Sequence, residues 1–184
     1  MEELLKLAGK IRDRELREKV MELLKEIKLS NKKLNYKSLK FEESPAGYIG
    51  FEHHMEEKGL FNHTKNVTEL AIKIAEFVEE KYYPINKDFV IAGALLHDIM
   101  RVFDFKKTKN GYEIVGKLLN HDELIGCELY AREFPEEVIY IVINHLQPSG
   151  LLPEALIVHF ADTIDAHIDI YVKELIKNTL KVEK

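Results

Sequence analysis

The 184-residue chain has one cysteine, no tryptophan and five prolines. With Cys127 alone there can be no internal disulfide, which fits a reducing compartment. Long apolar runs are missing as well. The longest, Phe89 to Leu96, is too short to span a bilayer. The first 30 residues carry charge throughout, so they lack the apolar region of a signal peptide. The expected location is therefore cytoplasmic, with no membrane partner. Nor is there an excess of positive charge: 27 Lys and Arg against 32 Asp and Glu leave a net charge of −5. That balance argues against a protein that coats duplex DNA by bulk charge, while leaving room for a local basic groove. The composition is globular, with 46% hydrophobic and 32% charged residues. A chain this long buries roughly two-thirds of its unfolded surface and needs no disulfide or structural metal to fold.

Nearly every segment has helical periodicity. Leu4, Ala8, Ile11, Val20, Leu23, Leu24 and Ile27 recur at helical spacing, predicting one or two amphipathic helices over residues 2–28, with Gly9 as the break. Residues 28–40 carry Lys28, Lys32, Lys33, Lys37 and Lys40 and no acid. This run is read as a solvated, partly irregular segment, with a nucleic-acid contact as the alternative. A helix is expected from Asn62 or His63 until Pro84 forbids it, and an all-round apolar helix over 87–101 marks the centre of the fold. Asn110-Gly111 between alternating segments signals a type I′ hairpin near residues 102–115. Helices follow over 121–133, 136–146 and 153–179, with Pro135 and Pro153 at first-turn positions. The expectation is an all-α fold with one small β-hairpin, a single domain over 1–184. Residues 1–40 would form a helical and basic N-terminal segment, and 41–184 a metal-binding helical core.

The eight histidines give the first chemical signal. His97-Asp98 closes the apolar helix, and a buried carboxylate there must be paired, metal-bound or exposed. His63 opens the preceding helix, His121 and His145 lie at or near ends of later ones, and Asp162 lies within the last. Imidazole and carboxylate donors on successive helices suit one or two divalent transition ions such as Mn, Fe, Co, Ni or Zn. A carboxylate like Asp98 can bridge two of them, and two ions about 3.5–4 Å apart activate water and neutralise phosphoryl charge. Incidental core or surface histidines are the alternative.

The order His63, His97-Asp98, Asp162 resembles the signature of the HD-domain metal phosphohydrolases, with Leu95-Leu96-His97-Asp98-Ile99 at its centre. Ser44-Pro45-Ala46-Gly47, His53-His54 and Gly59-Leu60-Phe61-Asn62-His63-Thr64 resemble the HD domain of YhaM-type 3′→5′ exoribonucleases. So do Gly116-Lys117-Leu118-Leu119 with His121, Asn144-His145, and Glu154-Ala155 through His159-Phe160-Ala161-Asp162 to Asp165-Ala166. The resemblance runs from about Ile11 to Asp169. It implies an HD-domain helical bundle with His63, His97, Asp98 and Asp162 as core metal ligands. His121 and His145 would complete a second site, expected to bind its ion more weakly because fewer charged ligands serve it. His53, His54, Arg101 and Lys117 would contact substrate phosphate or sugar, and Asp98, Arg101 and His121 would act in catalysis. Asp165, one turn from Asp162, is the rival ligand. His159 is expected to pack beside the site or to hydrogen-bond a ligand, and His167 and Asp169 to be surface residues.

Two departures stand out. Where the family usually continues its central motif with Gly-Lys, this chain has Met100-Arg101, and arginine binds phosphate bidentately. Arg101 is otherwise a salt-bridged helix-end residue. The exoribonucleases also carry an N-terminal nucleic-acid-binding barrel, whereas the first 28 residues here read as helix. The expected function is a metal-dependent phosphohydrolase of a nucleotide or short single-stranded nucleic acid, 3′→5′ exonuclease-like or phosphodiesterase. The alternatives are a 5′-nucleotidase or a non-catalytic metal- or nucleotide-binding module. A homo-oligomer is compatible with the amphipathic N-terminal helix.

Overall fold

The computed structural model describes residues 1–48, 50–148 and 150–182. The helices among them are α1 (Glu2–Ala8), α2 (Arg14–Lys25), α3 (Gly59–Lys81), α4 (Lys87–Leu96), α5 (His121–Ala131), α6 (Glu136–Ile143) and α7 (Pro153–Val182). One hairpin, β1 (Phe105–Thr108) and β2 (Gly111–Ile114), completes an all-α bundle. No helix among the described residues is long and apolar enough to cross a membrane.

α4 forms the axis, as its all-round apolar sequence requires: every residue from Val90 to Leu96 is buried. It packs on α3, α6, α7 and the N-terminal helices. Gly93 lets α6 come close, because a Cβ there would meet Ile141 Cγ2 at 2.4 Å. The N-terminal helices and the turn between them join the same core through Leu4, Ile11, Leu16, Val20 and Leu24. The chain breaks between α1 and α2, and Asp13 caps α2 by accepting from Leu16 N at 2.8 Å. The lysine-rich connection that follows is irregular. Buried Glu128 of α5 ties it down, accepting from Ser30 N and Oγ, each at 2.6 Å.

Several boundaries differ from expectation, each for a local reason. The helix expected to run to residue 101 stops at Leu96. Asp98 leaves helical geometry (φ −116°, ψ 5°), and a tighter 3-10 segment, Ile99–Phe103, continues the chain. α6 ends at Ile143, with the Asn144 amide donating to Tyr140 O at 2.9 Å. The hairpin turn is not type I′, which needs positive φ at both central residues. Lys109 and Asn110 keep negative φ, and Gly111 alone is positive (118°), opposite Thr108.

α3 begins earlier than expected, at Gly59. A Cβ on Gly59 would lie 1.8 Å from the His54 carbonyl oxygen, an overlap with backbone that no rotamer relieves. The Gly59→Ala protein is therefore expected to lose about 3 kcal/mol of stability by forced backbone displacement. For a domain of this size that lowers the thermal midpoint by roughly 6–12 °C. Differential scanning calorimetry checks this, and an unchanged midpoint would mean that the His53-His54 loop retreats freely.

Candidate metal centre

Four histidines are held alike. Each fixes its Nδ1 outward and aims its Nε2 inward. His97, capping α4, bonds Ala94 O through Nδ1 at 2.9 Å, and His145, just past α6, bonds Val142 O at 2.7 Å. His63 on α3 faces Asp165 Oδ2 through Nδ1 at 2.8 Å, and His121 at the start of α5 faces Asp104 Oδ2 at 2.7 Å. An acceptor on Nδ1 fixes the tautomer that leaves a lone pair on Nε2, the arrangement that supports metal-ligating imidazoles.

The four Nε2 atoms surround Asp98, which is 2% exposed. Its Oδ2 lies 3.7 Å from the Nε2 of both His63 and His97. Its Oδ1 lies 3.4 Å from His121 Nε2 and 3.6 Å from His145 Nε2. One carboxylate thus presents each oxygen to a different histidine pair. Asp162 Oδ1 completes the first group, 3.1 Å from His63 Nε2 and 3.9 Å from His97 Nε2, and those two nitrogens are 3.3 Å apart. Donors bound about 2.1 Å from one ion sit about 3.0–3.4 Å apart in tetrahedral or cis-octahedral positions, so the set needs only small adjustments to close on a cation.

The second group makes the stronger case for fit. Asp98 Oδ1, His121 Nε2, His145 Nε2 and Asp122 Oδ1 are buried atoms without a hydrogen-bond partner among the described residues. Buried polar atoms are normally paired, and these orphaned donors, with Asp98 Oδ1 beside both imidazole nitrogens and Asp122 Oδ1 3.2 Å from that of His121, suit a divalent ion. Electrostatics agree. Burial would raise the Asp98 carboxyl, but Arg101, His97 and His121 hold it well below its usual range. Burial opposes charge on His63 and His121, yet Asp162 and Asp165 raise the first to about 9, and Asp104 and Asp98 raise the second to about 9. Burial pushes His97 down to about 4. Since ligation needs neutral imidazole, metal uptake here is linked to proton release.

The remaining expected site residues divide. His53 is 3% exposed, neither ring nitrogen has a hydrogen-bond partner among the described residues, and burial, reinforced by His63, pushes it down to about 4. It lines a cavity of about 100 Å³ with Tyr48, Asp98, Arg101 and Asp162. His54, expected to face substrate, instead bonds Asp165 Oδ2 through Nε2 at 2.9 Å, behind His63. Asp165 stands behind His63: Oδ2 serves His63 Nδ1 and His54 Nε2, and Oδ1 accepts from the Asn66 amide at 3.0 Å. Asp169 is not a free surface residue. It accepts the His54 backbone N–H at 2.7 Å, holding a loop in which His54 (φ 43°) and Lys58 (φ 67°) adopt left-handed geometry. His167 is exposed, against the Phe51 ring. His159 Nδ1 bonds His145 O at 2.7 Å, beside the site as expected. Arg101 Nε donates to Asp98 Oδ2 at 2.6 Å, both groups buried. Lys117 Nζ pairs with Asp104 Oδ1 at 2.7 Å and so steadies the carboxylate behind His121.

Residues 60–167 match the HD domain family. The chain belongs to the HD-domain family. It is accordingly a metal-dependent phosphohydrolase; HD domains bind divalent metals, and its His/Asp cluster is one that could hold such an ion. Among its relatives is the dihydroneopterin 2′,3′-cyclic phosphate phosphodiesterase of Methanocaldococcus jannaschii, 42% identical over 180 residues, which cover 92% of this chain and 70% of that protein. The 3′-5′ exoribonuclease YhaM of Shouchella clausii is 28% identical over 151 residues, covering 73% of this chain and 46% of the enzyme. YhaM of Bacillus subtilis is 27% identical over 139 residues, covering 67% and 43%. The HD chain thus spans less than half of these exoribonucleases. No solved structure is a significant match.

Asp104 and Asp122 are the site residues that the sequence reading missed. Asp104 gave no signal, since it reaches His121 only through the fold of the hairpin. Asp122 did give one: His121-Asp122 repeats the His-Asp dipeptide of the HD signature at the start of another helix.

Proposed function

We propose that this HD domain is a two-metal phosphodiesterase acting on a cyclic phosphate of a small ring-bearing molecule, a nucleoside or a pterin. The supporting observation is the disposition of Asp98, one oxygen toward His63, His97 and Asp162 and the other toward His121 and His145. In this reading His63, His97, Asp98 and Asp162 hold one ion, and Asp98, His121 and His145 hold a second. Such a pair supplies an activated water and Lewis-acid neutralisation of phosphoryl charge. The protein supplies placement. Arg101 holds the Asp98 carboxylate by Nε and turns its remaining guanidinium donors toward phosphoryl oxygens. His53, neutral at pH 7 in its dry wall, donates a hydrogen bond to the phosphate. His54, Asp165 and Asp169 fix the His53 loop and His63, and Lys117 and Asp104 fix His121.

Two features favour a small substrate over an RNA strand. Beside the 100 Å³ cavity lies a pocket of about 270 Å³ that shares Tyr48 and Arg101 with it and is walled by Phe105, Ile114 and Val115. In this reading a flat heterocycle occupies that pocket, with its phosphate toward Arg101, which lines both cavities. Part of the basic charge that a strand path would need is paired with acids: Lys28 with Glu26 and Lys40 with Glu43 in the 28–40 run, and Lys106 with Glu113 and Lys107 with Glu57 near the hairpin. The archaeal relative, by its name, hydrolyses a cyclic phosphate on a pterin. The YhaM relatives favour the nuclease reading, but that reading requires a basic groove.

The test is a panel of metal-reconstituted assays on guanosine and neopterin 2′,3′-cyclic phosphates, glycerol 1,2-cyclic phosphate and single-stranded RNA. Ring-bearing cyclic phosphates are expected to be the best substrates. Ile114→Ala and Val115→Ala should raise their KM about tenfold, the scale of lost apolar pocket contacts, without affecting glycerol cyclic phosphate. Preference for RNA would overturn the proposal.

A further inference from the structure

Asp122 does not act in the family signature as read from the sequence, and it stands on the second residue of α5. Its Oδ1 lies 3.2 Å from His121 Nε2 and 3.9 Å from His145 Nδ1, on the edge of the ring that also meets Val142 O. Asp98, Asp122 and His145 each offer a donor atom within 4.8 Å of the other two. Among the described residues neither flanking histidine has a hydrogen-bond partner for its Nε2, His145 being 1% exposed. Asp122 Oδ1 is likewise buried and has no hydrogen-bond partner among the described residues, although the side chain as a whole is 24% exposed. The capping of α5 does not use it: Asn120 and Glu123 form the reciprocal capping box by themselves. The side chain is therefore turned inward for a reason other than helix capping.

We infer that Asp122 is a direct ligand of the second metal ion, making that site Asp98, Asp122, His121 and His145. The inference rests on the two-metal reading above and changes its charge balance. Without Asp122 the second ion would have two neutral imidazoles and a share of Asp98. With it, each ion has two imidazoles, one carboxylate of its own (Asp162 or Asp122) and one oxygen of the Asp98 bridge. The two sites become near equals, and the second is no longer the weak one that its histidines alone imply. The rival role is a counter-charge to the buried Arg101 guanidinium, which also faces Asp98 and Asp104. A counter-charge would leave metal stoichiometry unaltered.

The experiment is equilibrium dialysis of the whole protein against Mn²⁺, with bound metal measured by mass spectrometry and free Mn²⁺ by its EPR signal. The parent is expected to hold two ions with dissociation constants within about tenfold of each other. Asp122→Asn should keep the first and weaken the second on the order of a hundredfold, at least as much as loss of a residue that merely orients a ligand. Asp122→Glu should recover most of the second site. Calorimetry of metal-free Asp122→Asn should show a parental transition, so that its loss of metal is not loss of fold. If the parent takes up two ions and Asp122→Asn holds both with parental affinity, Asp122 is not a ligand, and the two-metal reading survives without it. If the parent takes up fewer than two ions, both fail together.

Discussion

Asp98→Asn protein is expected to fold, to hold at most one divalent ion, and to hydrolyse its best substrate at least a thousandfold more slowly than the parent. The amide keeps the shape of the carboxylate but cannot offer two anionic oxygens, one toward His63 and His97 and one toward His121 and His145. Metal-ion stabilisation of transition-state charge is worth several kcal/mol. Losing about 4 kcal/mol of it costs roughly a thousandfold in rate. Metal analysis alongside steady-state kinetics checks both halves. A variant with two tightly bound ions and more than a tenth of parental turnover would remove Asp98 from its bridging role.

Arg101→Ala is expected to act in opposite directions on stability and metal affinity. The Arg101 Nε to Asp98 Oδ2 contact of 2.6 Å is a buried ion pair. Breaking such a pair leaves an uncompensated buried charge and costs about 3–5 kcal/mol. Metal-free Arg101→Ala protein should therefore melt well below the metal-free parent. A divalent ion supplies the missing positive charge, so added Mn²⁺ should stabilise the variant more than it stabilises the parent. Turnover should still fall on the order of a hundredfold, the scale of losing one electrostatic donor at the reacting group. Arg101→Lys, which restores the usual family residue, should recover part of it. Parental turnover in Arg101→Ala would make the arginine a structural partner of Asp98 and leave phosphate binding to His53.

The bundle was legible because its signals are local. The apolar stripes, the prolines at 84, 135 and 153, and Asn110-Gly111 each constrain a few neighbouring residues, and the observed helices follow them. The ends were less legible where tertiary demands override propensity. The apolar run over 87–101 reads as one helix, but Asp98 must leave the helix for its carboxylate to face both histidine pairs. Gly59 starts α3 because the His54 carbonyl sits against it, a contact that periodicity cannot reveal. In the site, the ordered motif placed the histidines together, since His63, His97, His121 and His145 lie at helix ends that a bundle gathers. It did not say which atoms face inward. Asp165 and Asp162 are equivalent by spacing, and only the structure puts one behind His63 and the other in front. His54, adjacent to His53, likewise turns away from the cavity because the chain reverses there with positive φ.

The central claim is that Asp98 joins two ions. The most direct test is the low-temperature EPR spectrum of apoprotein reconstituted with two equivalents of Mn²⁺. A carboxylate-bridged pair is expected to give an exchange-coupled spectrum that collapses to the signal of isolated ions in Asp98→Asn. A parent spectrum of magnetically isolated Mn²⁺, or one unchanged by Asp98→Asn, would contradict it.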